Sequence, residues 1–324
     1  MRIVQYGVGA VGSEIVKLVL KRKLNIVGAI DIDPQKAGRD LGEVVGLEEV
    51  GVMIKDDPRD VLSQEVDVVL HSTSSHLKDV YPQVAEVVES GANLISTCEE
   101  LAYPFYHHPE LAKKIDDLAK KYDVTVLGCG VNPGFIMDLL PLVTSGVCQD
   151  IKKVEVERVV NATLRRYPLQ KKIGIGLSLK KFEEKVAKGG GHVGLVESIA
   201  MIGDGLGWKL NEIRQSIEPV IAEFPMESDF FQVDKGEVIG INQVGRGIKE
   251  GKDLIILKLS MYLGADSRDL IKIDGIPSIK LLIEKGVHGD IATPAVAVNS
   301  IPQVISSEAG LKTMKDLPPP RCLI

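Results

Sequence analysis

A short apolar run, Met1 to Tyr6, breaks into Gly7-Val8-Gly9-Ala10-Val11-Gly12 and resumes as helical periodicity from Ser13 to Leu20. A second apolar run rich in β-branched residues, Leu24 to Ile30, then closes on Asp31-Ile32-Asp33-Pro34. Strand, glycine turn, helix and strand in this order leave few folds available. With an acidic residue, Asp31, nineteen positions after Gly12, the arrangement is that of a dinucleotide-binding fingerprint. Gly7 permits the tight turn, Gly9 lets a pyrophosphate approach the backbone, and Gly12 lets the helix pack closely on the strand. Ala10 and Val11 in the same turn are further candidate cofactor contacts, and the N-terminus of the helix that follows offers N–H groups and a partial positive charge to that pyrophosphate.

Further strands are predicted at Asp67 to His71, Ala92 to Thr97 and Val124 to Leu127, with amphipathic helices at Leu77 to Glu89 and Pro109 to Lys121 between them. Such alternation predicts a doubly wound parallel sheet with right-handed crossovers, a Rossmann domain over residues 1–133. After Gly134 the pattern changes. Lys152 to Val160 alternates charged and apolar residues, the mark of a sheet with one solvated face. Strand-like runs follow at Glu237 to Val244 and Asp253 to Tyr262, and helices are predicted at Val193 to Asp204 and Leu210 to Ile217. Residues 134–292 thus read as an α+β domain for substrate binding and dimerisation, built on an open, mostly antiparallel sheet. Residues 293–324 are expected to form a helix and tail that pack back on the first domain, ending in Leu317-Pro318-Pro319-Pro320.

The net charge of −6, with both signs spread along the chain, provides no basic field for nucleic acid. No apolar stretch suggests a membrane span, and no secretory leader is recognised. Four scattered cysteines, Cys98, Cys129, Cys148 and Cys322, form no CxxC pair and lie at no zinc spacing. A soluble cytoplasmic protein without a metal site is expected.

Asp31 should accept hydrogen bonds from the adenosine ribose hydroxyls and repel a 2′-phosphate, which favours NAD. Lys36 and Arg39, on the helix that Pro34 is expected to start, leave NADP open. Ser72, Thr73 and Ser74 follow a strand at the carboxyl edge of the sheet, where open α/β sheets bind ligands, and small hydroxyl residues there suit the nicotinamide ribose. A plain solvated turn would look the same.

Four further motifs are more restrictive: STCEELAYP (Ser96 to Pro104), GCGVNPGFIMDLLP (Gly128 to Pro141), VERVVNATLRRYPLQKKIGIGLS (Val156 to Ser178) and GHVGLVES (Gly191 to Ser198). In this order they resemble the 2,4-diaminopentanoate dehydrogenase and amine dehydrogenase family, similar in fold to dihydrodipicolinate reductase and homoserine dehydrogenase. The resemblance spans essentially the whole chain. It implies a role in amino-acid degradation: reversible NAD(P)-dependent oxidation of an amine on a secondary carbon to an imine, then hydrolysis to a ketone and ammonia. For the family's substrate the product is 2-amino-4-oxopentanoate. A homodimer is expected. Homoserine dehydrogenase carries a lysine where this chain has Glu99 and Glu100. Dihydrodipicolinate reductase has paired histidines in its second domain, whereas His107 and His108 here lie in the first.

Hydride cannot leave a carbon whose nitrogen is a full cation without a lone pair, and an amine pKa near 10 therefore demands a base at neutral pH. Glu99 and Glu100 end a buried strand beside the expected nicotinamide site; the sequence does not choose between them. Asn132, in Gly130-Val131-Asn132-Pro133-Gly134, has a donor and an acceptor for the nicotinamide amide or the substrate, and equally makes turns. Arg158, Asn161 and His192 are the expected substrate anchors of the second domain, Arg158 gripping a carboxylate and His192 following a Gly-Gly-Gly stretch. Arg165-Arg166 and Lys171-Lys172 are expected at the surface. Two alternatives stand beside this reading: a related dehydrogenase acting on another amine or on a keto acid, and a catalytically silent NAD-binding protein.

Overall fold

A computed structural model describes residues 1–186 and 190–322. Two compact units result: Met1–Phe135 together with the chain from Gly289 onward, and Ile136–His288.

In the first unit β1 (Ile3–Tyr6) leads into α1 (Ala10–Lys21), which turns Gly12, Ile15, Val16 and Val19 inward. Strand β2 (Ile26–Ile30) pairs parallel with β1. Two single-turn helices, α2 (Leu41–Val44) and α3 (Arg59–Leu62), flank the two-residue strand β3 (Ile54–Lys55). Strand β4 (Val68–His71), α4 (Leu77–Glu89), β5 (Asn93–Ser96), α5 (Pro109–Lys121) and β6 (Thr125–Gly128) continue the alternation. Proline opens α5 where its missing N–H is no loss, and Lys120 and Lys121 close it against the helix dipole. Strands β1, β4, β5 and β6 are buried almost throughout, as parallel strands covered on both faces must be.

The second unit has α6 (Leu139–Ser145), β7 (Asp150–Asn161), α7 (Tyr167–Lys172), α8 (Leu179–Lys185) and α9 (Leu195–Gly205). Strand β8 (Glu212–Ile221) is followed by the small hairpin β9 (Met226–Glu227) and β10 (Gln232–Val233), and then by β11 (Val238–Lys249), β12 (Lys252–Tyr262), β13 (Arg268–Ile276) and β14 (Ile279–Glu284). Six of these strands form one sheet in the order β14-β13-β7-β12-β11-β8, in which only the β12–β7 pair is parallel. Helix α9 is buried from Leu195 to Gly203 and packs on β8, β11 and β12.

Three readings of the sequence need correction. Pro34 starts no helix: Lys36 and Arg39 lie in a run of turns ahead of α2. Leu210 to Ile217 is not a helix; from Glu212 the chain is the edge strand β8, paired along β11. Ile213 and Ile217 are four apart, a spacing that keeps two side chains on one face of a helix and equally on one face of a strand. Pro219 fits there because an edge strand can spare the donor. Strands β13 and β14 lie beyond the runs read from the sequence.

The chain then returns to the first unit. Helix α10 (Gly289–Asn299) lies against α1, where the Arg22 guanidinium donates to Asn299 Oδ1 at 2.7 Å, and α11 (Ile301–Ile305) rests on β5 and β6. Finally β15 (Gly310–Lys312) adds itself parallel to β6, completing a seven-stranded sheet in the order β15-β6-β5-β4-β1-β2-β3.

Candidate active site

The β1–α1 turn carries its three glycines for three different reasons. Gly7 has φ +87°, and a Cβ there would also lie 2.5 Å from the Ser72 carbonyl oxygen. A Cβ on Gly12 would lie 1.9 Å from the Gly7 carbonyl oxygen, so α1 seats only without a side chain. Gly9 is the reverse, with nothing within 4 Å of a Cβ. It caps α1 with no side-chain acceptor, and Ala10 and Val11 follow in a first turn that holds no acidic residue. An open backbone before an uncapped, uncountered helix N-terminus suits a pyrophosphate. The residues present thus fit a dinucleotide.

At the end of β2, Asp31 Oδ2 accepts from the Val8 N–H at 2.7 Å and from Lys36 Nζ at 3.1 Å, while Oδ1 accepts from the Asp33 N–H at 2.9 Å. Lys36 also pairs with Asp33, and Arg39 pairs with Glu43. The two cations that left NADP open are therefore each paired with carboxylates. Across the turn, Ser72 Oγ donates to the Gly7 carbonyl at 2.9 Å, and Gln5 Nε2 donates to the same carbonyl at 2.8 Å. Thr73 is exposed, and Ser74 Oγ donates to Asp79 at 3.2 Å.

Glu99–Ala102 form one turn of 3-10 helix directly after β5 and Cys98. Its two glutamates have separate fates. Glu100 accepts from the Leu77 N–H at 2.7 Å, pairs with His76 Nδ1 at 2.9 Å and with His108 Nε2 at 2.9 Å. Burial opposes its ionisation, but the His76 and Leu77 hydrogen bonds and the charges of His108 and His76 outweigh burial and hold the carboxyl below its ordinary value. Glu99 is half-buried, and among the described residues its carboxylate forms no hydrogen bond or ion pair. Next to it, burial pushes the Cys98 thiol up to about 12, as it does Cys129, so neither is a thiolate nucleophile.

Asn132, 9 % exposed, stands in the loop after β6, where the neighbouring Val131 N–H donates to Thr293 Oγ1. In the second unit the expected anchors fare differently. The Arg158 guanidinium is engaged within the protein, against its expected role on a substrate carboxylate. Its Nη1 donates to both oxygens of Asp269 at 2.7 Å, its Nη2 donates to the Val287 carbonyl at 2.6 Å, and it is 3 % exposed. Taking a substrate carboxylate would strand Asp269, itself 1 % exposed. Asn161 spends its side-chain oxygen capping the turn that follows β7, accepting from the Thr163 N–H at 2.9 Å and the Gly264 N–H at 3.2 Å. His192 is half-buried, and its backbone is clamped at both N–H and carbonyl by the buried amide of Gln243. Of the glycines before it, Gly189 lies outside the described residues. Arg165, expected at the surface, is buried, whereas Lys171 and Lys172 are exposed.

Of the buried polar residues His71, Ser96 and Asp138, sequence reasoning gave Ser96 and Asp138 no individual role and read His71 as a structural or surface histidine. His71 and Ser96 end neighbouring strands and are register partners, and Asp138 accepts from Ser198 Oγ at 2.8 Å. A signal existed for His71 alone, as the one charged-type residue inside an apolar strand. Among the described residues no cluster of His, Cys, Asp and Glu could hold a metal ion, and no helix is long and apolar enough to cross a membrane.

Residues 135–324 match the family of the 2,4-diaminopentanoate dehydrogenase C-terminal domain, and residues 1–126 match the N-terminus of dihydrodipicolinate reductase. The chain is 35% identical to a 2,4-diaminopentanoate dehydrogenase of Acetoanaerobium sticklandii, covering 100% of this chain and 95% of that one. It is 23% identical to an amine dehydrogenase of Streptomyces virginiae over 97% and 95% of the two chains. The structure of an amine dehydrogenase from Mycobacterium smegmatis superposes with a TM-score of 0.89 at 28% identity, covering 100% of this chain and 97% of that one. With a Rossmann unit fitted to a nicotinamide dinucleotide, the chain is an oxidoreductase that belongs to the 2,4-diaminopentanoate dehydrogenase family.

Proposed function

We propose that this chain catalyses the reversible oxidative deamination of 2,4-diaminopentanoate to 2-amino-4-oxopentanoate and ammonia, with Glu99 as the base. The observation that carries the assignment of the base is the fate of the adjacent carboxylates. Glu100 is consumed by Leu77, His76 and His108, and a carboxylate held below its ordinary pKa is a poor proton acceptor for an ammonium. Glu99, on the same turn, keeps its carboxylate for the substrate.

The bound nicotinamide supplies the hydride acceptor. Glu99 takes a proton from the 4-ammonium, so that the nitrogen lone pair can form the imine as hydride departs, and the same carboxylate then serves the addition of water and the departure of ammonia. Asn132 and His192 are the proposed polar contacts for the substrate or the nicotinamide amide. NAD is the proposed cofactor, supported by Asp31 at the ribose site and by the pairing of Lys36 and Arg39 with carboxylates. The four free cysteines support a reducing, cytoplasmic setting. The exposed Ile276 at the end of β13 and Leu282 on the edge strand β14 support a homodimer.

A screen of 2,4-diaminopentanoate against simple secondary amines and amino acids, with NAD+ and with NADP+, tests this reading. Reduction with 2,4-diaminopentanoate at the highest kcat/KM is the expected result. Turnover confined to other amines would move the chain to a related dehydrogenase, and NADH binding without any turnover would make it a silent binder.

A further inference from the structure

His71 ends β4 fully buried, one strand away from its register partner Ser96 at the end of β5. Its ring joins two loops. On one side Nδ1 lies 2.8 Å from Ser96 Oγ, which itself accepts from the Cys98 N–H at 3.1 Å. While accepting from that N–H, the Ser96 hydroxyl also has a proton to donate to Nδ1 when Nδ1 carries none. On the other side Nε2 lies 2.8 Å from Gln83 Oε1 and 3.0 Å from Thr73 Oγ1, and Thr73 Oγ1 donates to the same Gln83 oxygen at 2.6 Å. A carbonyl oxygen only accepts, so Nε2 carries the ring proton. Burial pushes the imidazole down to about 4, although the hydrogen bond with Gln83 favours its charged form. The ring is therefore neutral at physiological pH, and both of its nitrogens have defined roles.

The two ends of this network lie beside the glycine turn and at the start of the Glu99 turn. Thr73 belongs to the loop against the glycine turn, where its Cγ2 would lie 2.8 Å from a Cβ on Gly7. Cys98 caps the turn that bears Glu99. Other bonds tie the same loops: the Thr97 N–H donates to the His71 carbonyl at 2.9 Å, and the Glu100 N–H donates to the Ser75 carbonyl at 3.2 Å.

We propose that His71, as its neutral Nε2–H tautomer, is a positioning residue that sets the cofactor-facing Thr73 loop through Nε2 and the Glu99 turn through Nδ1. The proposal rests on the reading of Glu99 as the base. One ring thereby fixes the distance between two parts of the site carried on different loops, and each nitrogen can be removed without the other. In a histidine-to-asparagine change the amide oxygen replaces the Nδ1 acceptor and the Nε2 donor is lost. In a histidine-to-glutamine change the longer amide reaches the Nε2 position and the acceptor for Ser96 is lost.

His71→Asn and His71→Gln are therefore measured side by side for NADH affinity by fluorescence titration, for steady-state kinetics, and for hydrogen exchange at the Cys98 and Glu99 amides. His71→Asn is expected to weaken NADH binding on the order of 5- to 10-fold with kcat within about twofold of wild type. His71→Gln is expected to lower kcat by about 10-fold, speed exchange at Cys98, and leave NADH affinity within about twofold. A structural role alone would lower thermal stability in both variants and move NADH affinity and kcat together, and that result overturns the proposal, as does wild-type behaviour in both. Failure of the reading of Glu99 is a separate result: wild-type protein would turn over no amine, or Glu99→Gln would keep its rate, while the opposed effects on NADH affinity and Cys98 exchange would still be seen.

Discussion

Replacing Arg158 with methionine removes the guanidinium that pairs with the Asp269 carboxylate, itself 1 % exposed, and the cost can be worked from two directions. Breaking a buried ion pair from one side typically costs about 3–5 kcal/mol. The alternative open to the variant is to protonate Asp269. From an unfolded-state pKa near 3.9, that costs about 4 kcal/mol at pH 7, which caps the loss. Burial already pushes the Asp269 carboxyl up against the opposing pull of Arg158 and of the Val287 N–H, so the protonated route is open. A loss of about 3–4 kcal/mol is therefore expected at pH 7. Its pH dependence is specific. The folded variant holds a proton that its unfolded chain releases above pH 4, so its stability falls by up to about 1.4 kcal/mol per unit as pH rises from 4 to 7. Urea denaturation of wild type, Arg158→Met and the double variant Arg158→Met/Asp269→Leu at pH 5 and 7 reads all of this. The single variant should recover part of its loss at pH 5, and the double variant most of it at both. A stably folded Arg158→Met protein that lost activity on amino acids, yet kept it on neutral amines, would refute the reasoning and restore Arg158 to the substrate.

Glu99→Gln should lower kcat on the order of 10²-fold or more with NADH affinity nearly unchanged, whereas Glu100→Gln should show its main effect as a lower melting temperature. Asp31→Ser should lower kcat/KM with NAD and raise the NADP-to-NAD ratio, and an unchanged ratio would remove Asp31 from the ribose site. Gly12→Ala should abolish NADH binding or folding, because its Cβ would meet backbone at 1.9 Å, while Gly9→Ala should fold normally and weaken NADH alone, as calorimetry and melting curves would separate.

Five strands of the parallel sheet were legible because each is apolar and sits in a regular alternation with turns and helices, all local signals, whereas the short β3 and β15, Ile-Lys and Gly-Leu-Lys, carry no such pattern. Where periods coincide, as at Ile213 and Ile217, local pattern misleads. In β13 and β14 the same alternation of charged and apolar residues that marks β7 is present at Ile271 to Asp274 and Ile279 to Glu284, and it was not read as strand. The two glutamates were read as a pair but not told apart, since two of the partners that hold Glu100, His76 and Leu77, lie 24 and 23 residues upstream. Arg158 is the same lesson at longer range. Its partner Asp269 stands 111 residues away, and no feature of VERVVNA announces it.

The strand β15 beside β6 also sets an order of events at the ribosome. Strand β6 keeps one edge unpaired, and Asp116 lacks the Leu311 N–H that it accepts at 3.0 Å, until the C-terminal segment emerges. A domain whose sheet begins at Ile3 is thus completed by residues translated after the whole of the second domain. During that interval the nascent protein carries an open sheet edge and the bare face of α1 that α10 later covers, the kind of surface on which chaperones act and chains aggregate. Premature stop codons downstream of His288 should accordingly yield insoluble protein although every residue of both the glycine turn and the Glu99 turn has been made.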